Sequence, residues 1–255
     1  MDNIKDFLKK TNFCDFSDEK IKNLSEKIAE NCKDDREFAI SAFYWVRDNI
    51  LYRIGDWQRK ASETLNEGSG TCTNKANLLV ALLRHKKIPA GYGVMKVYGQ
   101  RYFGPIAIPM LKKFIGETST HVYVLVYLNN KWIKCDPSDD KKLSENTSYF
   151  NKASKIVVWD GYNDAVLNLN KEDIIDDKFP VGNIDPWMMK KSKNAKGLAL
   201  KIANIYIDFV RNNTKIVSGA EEVETLFNKY LKEKHPAYFL MFYLVRFYRQ
   251  IKLKH

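Results

Sequence analysis

The chain has few of the devices that hold proteins together by covalent or metal bonds. Its 255 residues include only four cysteines, Cys14, Cys32, Cys72 and Cys135, with no CxxC pair and no metal-like grouping. That excludes a disulfide framework and a structural zinc site. No apolar run approaches the length of a bilayer span, since the longest, Ala237 to Val245, is closed by Arg246. The opening residues Met1-Asp2-Asn3-Ile4-Lys5-Asp6 lack the apolar stretch of a signal peptide. The reading is therefore a cytoplasmic protein without a transmembrane segment and with its cysteines as free thiols. Internal repeats, low-complexity tracts and nucleic-acid-binding motifs are also missing, so nucleic acid is not an expected partner.

Acidic residues are in deficit. Lys and Arg number 42 against 31 Asp and Glu, a formal charge of +11, and after Pro186 the ratio is 14 to 5. Such an excess serves solubility, or it forms an electrostatic dock for an acidic partner such as a carrier protein. With 45% hydrophobic and 29% charged residues, the composition is that of an ordinary globular protein.

Periodicity organises the first part of the chain. A polar amphipathic helix is expected over 17–31, with Ile21, Leu24 and Ile28 at helical spacing, and a stronger one from Asp34 or Asp35 to about Leu51. A helical turn at 61–66 stops at Gly68 and Gly70, and a helix runs from Cys72 to about Lys87, its stretch Leu78 to Leu83 apolar nearly all round, which places it at the centre of the fold. Strands are expected at 91–98, 121–128, 131–136 and 155–160, with a loop-rich excursion over 99–120. From Pro186 onward only helices are expected. Leu198, Ile202, Ile205 and Phe209 form one stripe, Ser218-Gly219-Ala220-Glu221 is a capping box, and Pro236 opens a third helix rich in Tyr and Phe. That last helix reads as packed against the core or at a subunit interface of a homo-oligomer. The whole is an α+β catalytic domain at 1–185 followed by a helical appendage at 186–255.

Cys72 follows Gly68-Ser69-Gly70-Thr71 and stands just inside a helix N-terminus. Unpaired backbone N–H groups and the helix dipole there favour thiolate over thiol. Downstream, a two-residue loop at Asn129-Asn130 would set Leu128 against Lys131 and Asp136 opposite Tyr123. His121 and Asp136 would then be diagonal neighbours on one sheet face, and a one-residue change of loop length would separate them. In that geometry Asp136 orients one imidazole nitrogen and the other accepts the proton of Cys72. The thiolate could attack an amide, ester or thioester carbonyl, with the Cys72 N–H as an oxyanion donor and Trp57 or Gln58 as a second. No metal or organic cofactor is called for.

Three blocks carry a family resemblance: Ala61-Ser62-Glu63-Thr64-Leu65, Gly70-Thr71-Cys72-Thr73-Asn74-Lys75-Ala76 with Leu78 to Arg84, and Ile88-Pro89-Ala90-Gly91. Together with His121-Val122-Tyr123-Val124 and Trp132 through Asp136-Pro137, they resemble the transglutaminase-like superfamily over roughly residues 35–160. The resemblance implies a papain-like α+β fold with an antiparallel sheet and a nucleophile helix. It also implies Cys72 as nucleophile, His121 as base and Asp136 as orienting acid. Asn74 departs from the pattern, because many members carry an acidic residue two positions after the cysteine. Three functions follow as alternatives. The first is acyl transfer through a Cys72 thioester on peptide, amide or thioester carbonyls, by hydrolysis or transamidation. The second is an amide synthase taking its acyl group from a carrier-protein thioester, and the third a non-catalytic binding module.

Overall fold

The computed structural model describes residues 3–147, 155–167, 170–191, 197–213 and 219–252, with side chains to Leu244. Helices α1 (Glu19–Ala29) and α2 (Asp35–Asn49) start on Asp18 and Asp34, whose carboxylates accept from the N–H groups of Lys20 and Glu37. Each cap satisfies a donor that has no partner within the helix. A two-residue strand, β1 (Leu51–Tyr52), leads to α3 (Ala61–Glu67), which ends on the left-handed Gly68 at φ 65°. Strand β2 (Ser69–Gly70) then pairs in parallel with β1 and delivers the chain to α4 (Cys72–His85).

Residues Thr73 to Arg84 of α4 are all buried: Leu78 to Leu83 are apolar all round, while Lys75, Asn77 and Arg84 donate to backbone carbonyls of neighbouring segments. Leu78, Leu79, Val80 and Leu83 lie at the heart of an apolar cluster shared with α1, α2, β3 (Ala90–Tyr98), β4 (Thr118–Leu128) and β5 (Lys131–Cys135). The sheet is antiparallel throughout, in the order β5-β4-β3-β6, with β6 (Ile174–Val181) at one edge. The expected excursion over 99–120 contains two short helices, α5 (Gly99–Phe103) and α6 (Pro109–Lys112), and β4 begins three residues before His121.

One strand expectation needs correction, and one strand is additional. Residues 155–160 form no strand, because side chains of α2 satisfy their backbone: Arg47 donates to the Val157 carbonyl at 2.7 Å, and Tyr44 bridges the N–H and C=O of Trp159 at 3.1 and 3.0 Å. Strand β6 was not expected. Its Asp176, Asp177, Lys178 and Pro180 hide the pattern, and those are residues that suit an exposed edge.

After α7 (Lys141–Thr147) and α8 (Asp185–Met188), the chain enters α9 (Leu198–Asn212), α10 (Ala220–Lys234) and α11 (Pro236–Lys252). Gly219 precedes α10 without a side-chain cap, and Ser218 of the expected capping box lies outside the described residues. Ile202, Val223, Phe227, Leu231 and Phe242 build a second apolar cluster, joined by Ile108, Met110 and Leu111 around α6 and by Leu143 of α7. The cluster thus draws on both sides of residue 185. Among the described residues no helix is long and apolar enough to cross a membrane.

Candidate active site

The turn before α4 is built for close approach. Leu51 N–H donates to Gly68 O at 2.9 Å and Arg53 N–H to Gly70 O at 3.0 Å, which clips the 51–53 segment alongside the turn. A Cβ on Gly70 would lie 2.7 Å from the Asn74 Cβ, so only glycine fits there. Thr71 and Asn74 close a capping box, with Asn74 Oδ1 accepting from the Thr71 N–H at 3.0 Å and from its hydroxyl at 2.8 Å. Cys72 is the first residue of the helix and remains partly exposed, although the residues after it are buried. Its N–H has no acceptor within the helix.

The hairpin has the expected register. Leu128 pairs with Lys131 and Val124 with Cys135, across a turn where Asn129 and Asn130 both take positive φ. The ladder stops one residue short of Asp136, and the His121 imidazole reaches across to it: Nε2 stands 2.6 Å from Asp136 Oδ2. Both groups are buried, and the second carboxylate oxygen accepts from the Ser138 N–H at 3.1 Å and from its hydroxyl. An acceptor-only carboxylate fixes Nε2 as the protonated nitrogen and leaves Nδ1 for other partners. The same imidazole and the Val122 N–H act electrostatically on the Cys72 thiol.

The electrostatics favour an ion pair. Burial pushes the Cys72 thiol up, but the His121 hydrogen bond, its charge and the Val122 N–H outweigh this and bring it below the ordinary thiol value. Burial alone would depress His121, yet the charge and hydrogen bond of Asp136, with those of Cys72, lift the imidazole well above its usual range. Asp136 is pushed up by burial but held low by His121 and the two Ser138 bonds. The other thiols differ: burial raises Cys14 to about 11 and Cys135 well above the ordinary range.

The two upstream positions diverge. Trp57 stays tied to α4, because Asn74 Nδ2 donates to its carbonyl at 3.1 Å. An aspartate at 74 could make the cap but not this bond, which is the physical content of that departure. Gln58 instead spends its amide N–H groups on the carbonyls of Met189 and Lys191, at 2.9 and 2.6 Å. It lines a surface groove between α1 and α3 that does not include Cys72, His121 or Asp136.

Sequence reasoning missed Tyr102. Its hydroxyl lies 2.9 Å from His121 Nδ1, and the two ring centroids are 5.5 Å apart. The chain can turn back so sharply from β3 because Gly99 has no Cβ, which would sit 2.1 Å from the Gly116 carbonyl. No spacing rule marks a tyrosine in a loop-rich excursion. Tyr52, from β1, and Asp139 were also unmarked. Burial and then the Cys72 charge raise the Tyr52 phenol, and burial with the adjacent Asp136 raises Asp139 to about 6.

Residues 22–137 match the family model described as the transglutaminase-like superfamily, and that segment contains Cys72, His121 and Asp136. The transglutaminase-like resemblance and the mixed α+β architecture, with a central helix that begins at Cys72, therefore hold for this segment. A solved structure of a candidate cysteine protease from Cytophaga hutchinsonii is 23% identical with a TM-score of 0.42, over 54% of this chain and 42% of that one. A candidate protease from Parabacteroides distasonis is 13% identical with a TM-score of 0.36, over 53% of this chain and 25% of that one. The chain thus spans less than half the length of either. No curated protein matches its sequence.

Proposed function

We propose that the chain is a cysteine acyl-transfer enzyme working through a Cys72 thioester. The observation that carries this reading is a buried imidazole held by a buried carboxylate at 2.6 Å, with a partly exposed thiol at a helix start that this imidazole brings below its ordinary value. The Cys72 thiolate attacks the carbonyl carbon of an amide or thioester, and the Cys72 N–H donates to the developing oxyanion, with Trp57 the upstream candidate for a second donor. His121 gives its Nδ1 proton to the departing amine or thiol, leaving a thioester. It then takes a proton from the incoming water or amine as the C–S bond breaks and the thiolate returns. Asp136 holds the ring and its Nε2 proton throughout.

In this reading residues 1–185 are the catalytic unit, residues 186–255 a helical appendage, and the enzyme works in a reducing cytoplasm where the thiol stays free. Water as acceptor gives peptidase or amidase chemistry and an amine gives transamidation. The excess of 14 basic over 5 acidic residues after Pro186 favours a second reading, an amide synthase fed by an acidic carrier-protein thioester.

Iodoacetamide should modify Cys72 far faster than Cys14, Cys32 or Cys135 at neutral pH, with an inflection below the ordinary thiol value of 9.0. His121→Ala should slow this by on the order of a hundredfold or more. An acyl thioester should add its acyl mass at Cys72 and not in Cys72→Ala, and adding an amine then separates amide product from free acid. Uniform labelling of all four cysteines would sink the reading.

A further inference from the structure

Arg211 is buried on α9, far in sequence from every residue of the site, and its guanidinium spends its hydrogen bonds on three partners. Nε donates to both oxygens of Asp140 at 3.1 Å, while Nη2 donates to Asp140 Oδ2 at 2.9 Å and to the Tyr52 carbonyl at 2.7 Å. Nη1 is taken by Asp208 of the same helix. Asp140 is gripped from the other side as well: it accepts from the Leu143 N–H and the Tyr52 N–H, each at 3.1 Å. The peptide groups of Tyr52 are therefore held on both sides, one through Asp140 and one by Arg211 itself.

Each partner leads into the site by a short path. Tyr52 pairs with Gly70 in the β1–β2 bridge, two residues before Cys72. Asp140 ends the turn Asp136-Pro137-Ser138-Asp139-Asp140, whose Ser138 holds the carboxylate that orients His121. One guanidinium thus joins the approach to the nucleophile with the turn that carries the acid. α9 itself cannot slide, because Asn146 donates to the Arg211 carbonyl at 2.7 Å and Asn204 exchanges two bonds with the Ile54 backbone at 2.8 and 2.9 Å.

We infer that Arg211 is a positioning residue for the Cys72–His121–Asp136 site, acting through Tyr52 and Asp140; this rests on the acyl-transfer reading above. The planar fork matters, because a lysine ammonium is a point charge that cannot hold a carboxylate and a carbonyl in fixed relative places. Removing the fork takes away the charge that Asp140 is bonded to and leaves it only the more distant Coulombic pull of Lys75. The 137–140 turn then relaxes, Asp136 shifts relative to His121, and the imidazolium that keeps Cys72 as thiolate is less well held.

The test is the rate of Cys72 alkylation by iodoacetamide against pH in full-length Arg211→Met, Arg211→Lys and Tyr206→Phe. Tyr206 lies on the same helix and donates to the Ile106 carbonyl at 2.8 Å, without touching Tyr52 or Asp140. Arg211→Met is expected to slow alkylation at pH 7 by about tenfold to a hundredfold, the scale of a small misplacement. Its inflection should move up towards the ordinary thiol value. Arg211→Lys should recover part of both, and Tyr206→Phe should keep the wild-type rate and inflection.

A folded Arg211→Met with wild-type rate and inflection overturns the inference, and if that variant does not fold, Arg211→Lys decides by the same criterion. An Arg211→Lys that fails to fold also overturns it, because the guanidinium would then be a requirement for folding. Normal Arg211 variants beside a slow His121→Ala remove this inference alone. A fast His121→Ala removes the acyl-transfer reading beneath it.

Discussion

The two apolar clusters of this protein are built alike and joined unlike. Around α4, Leu78, Leu79, Val80 and Leu83 meet Val122, Val124 and Val126 of β4. In the C-terminal helices, Ile202, Val223, Phe227 and Leu231 form the other cluster, with Tyr206 edge-on and Phe209 tilted against Phe227 at centroid distances of 5.3 and 5.5 Å. Between them the junction at the site is polar: Arg211 with Asp140 and Tyr52, Arg53 with Asp208, Asn204 with Ile54. Apolar contacts hold each cluster but are non-directional, so they fix neither the register nor the angle at which the two meet. Directional bonds to backbone groups do, and they fall beside Cys72 and Asp136.

That contrast can be broken first at its largest point. A chain ending at residue 185 loses every C-terminal partner of the junction, and loss of the Asp140 countercharge alone costs about 3–5 kcal/mol. Urea titration should show no cooperative transition for it; a sigmoidal curve at the full-length midpoint would refute the shared junction.

Next in size is Phe227→Ala, within the second cluster and away from the polar contacts. It should cost about 3–5 kcal/mol in a urea melt. While the variant is folded, Cys72 alkylation should stay at the wild-type rate. A slowed rate would show that apolar packing, and not the Arg211 fork, holds the site.

The smallest effect concerns Asp139, half-buried at the junction, whose folded value of about 6 stands above its ordinary 3.8. Between those values the folded state binds the extra proton, so stability falls as pH rises from about 4 to 6. Asp139→Asn should remove that slope and raise stability at pH 7 by about 1 kcal/mol, reduced by partial exposure. Thermal melts at pH 4 and pH 7 check this, and an unchanged slope would assign the pH dependence to other groups.

Legibility in the sequence followed the same division. The α4 helix, its capped start, the Asn129-Asn130 hairpin and the pairing of His121 with Asp136 could be read because each depends on residues near one another in the chain. The 155–160 segment was misread because Tyr44 and Arg47, over a hundred residues away, took the bonds that a strand would have used. Strand β6 went unseen because an edge strand needs no alternation. Tyr102 was hidden in a segment that looked like loop, and its contact with His121 depends on a turn at Gly99 that admits no side chain.

By itself the sequence determined a thiol at a helix N-terminus, a hairpin register that sets a histidine beside a carboxylate, and a central helix with the apolar stretch Leu78 to Leu83. These are local consequences of helix ends, turn chemistry and hydrophobic period. Tertiary structure alone decided that Asp136 takes the Nε2 of His121 and Tyr102 lies at its Nδ1, that Gln58 is committed elsewhere, and that Arg211 reaches the site from α9. The reason is physical: long side chains bond in directions set by distant backbone groups, and no local pattern records where those groups come to lie.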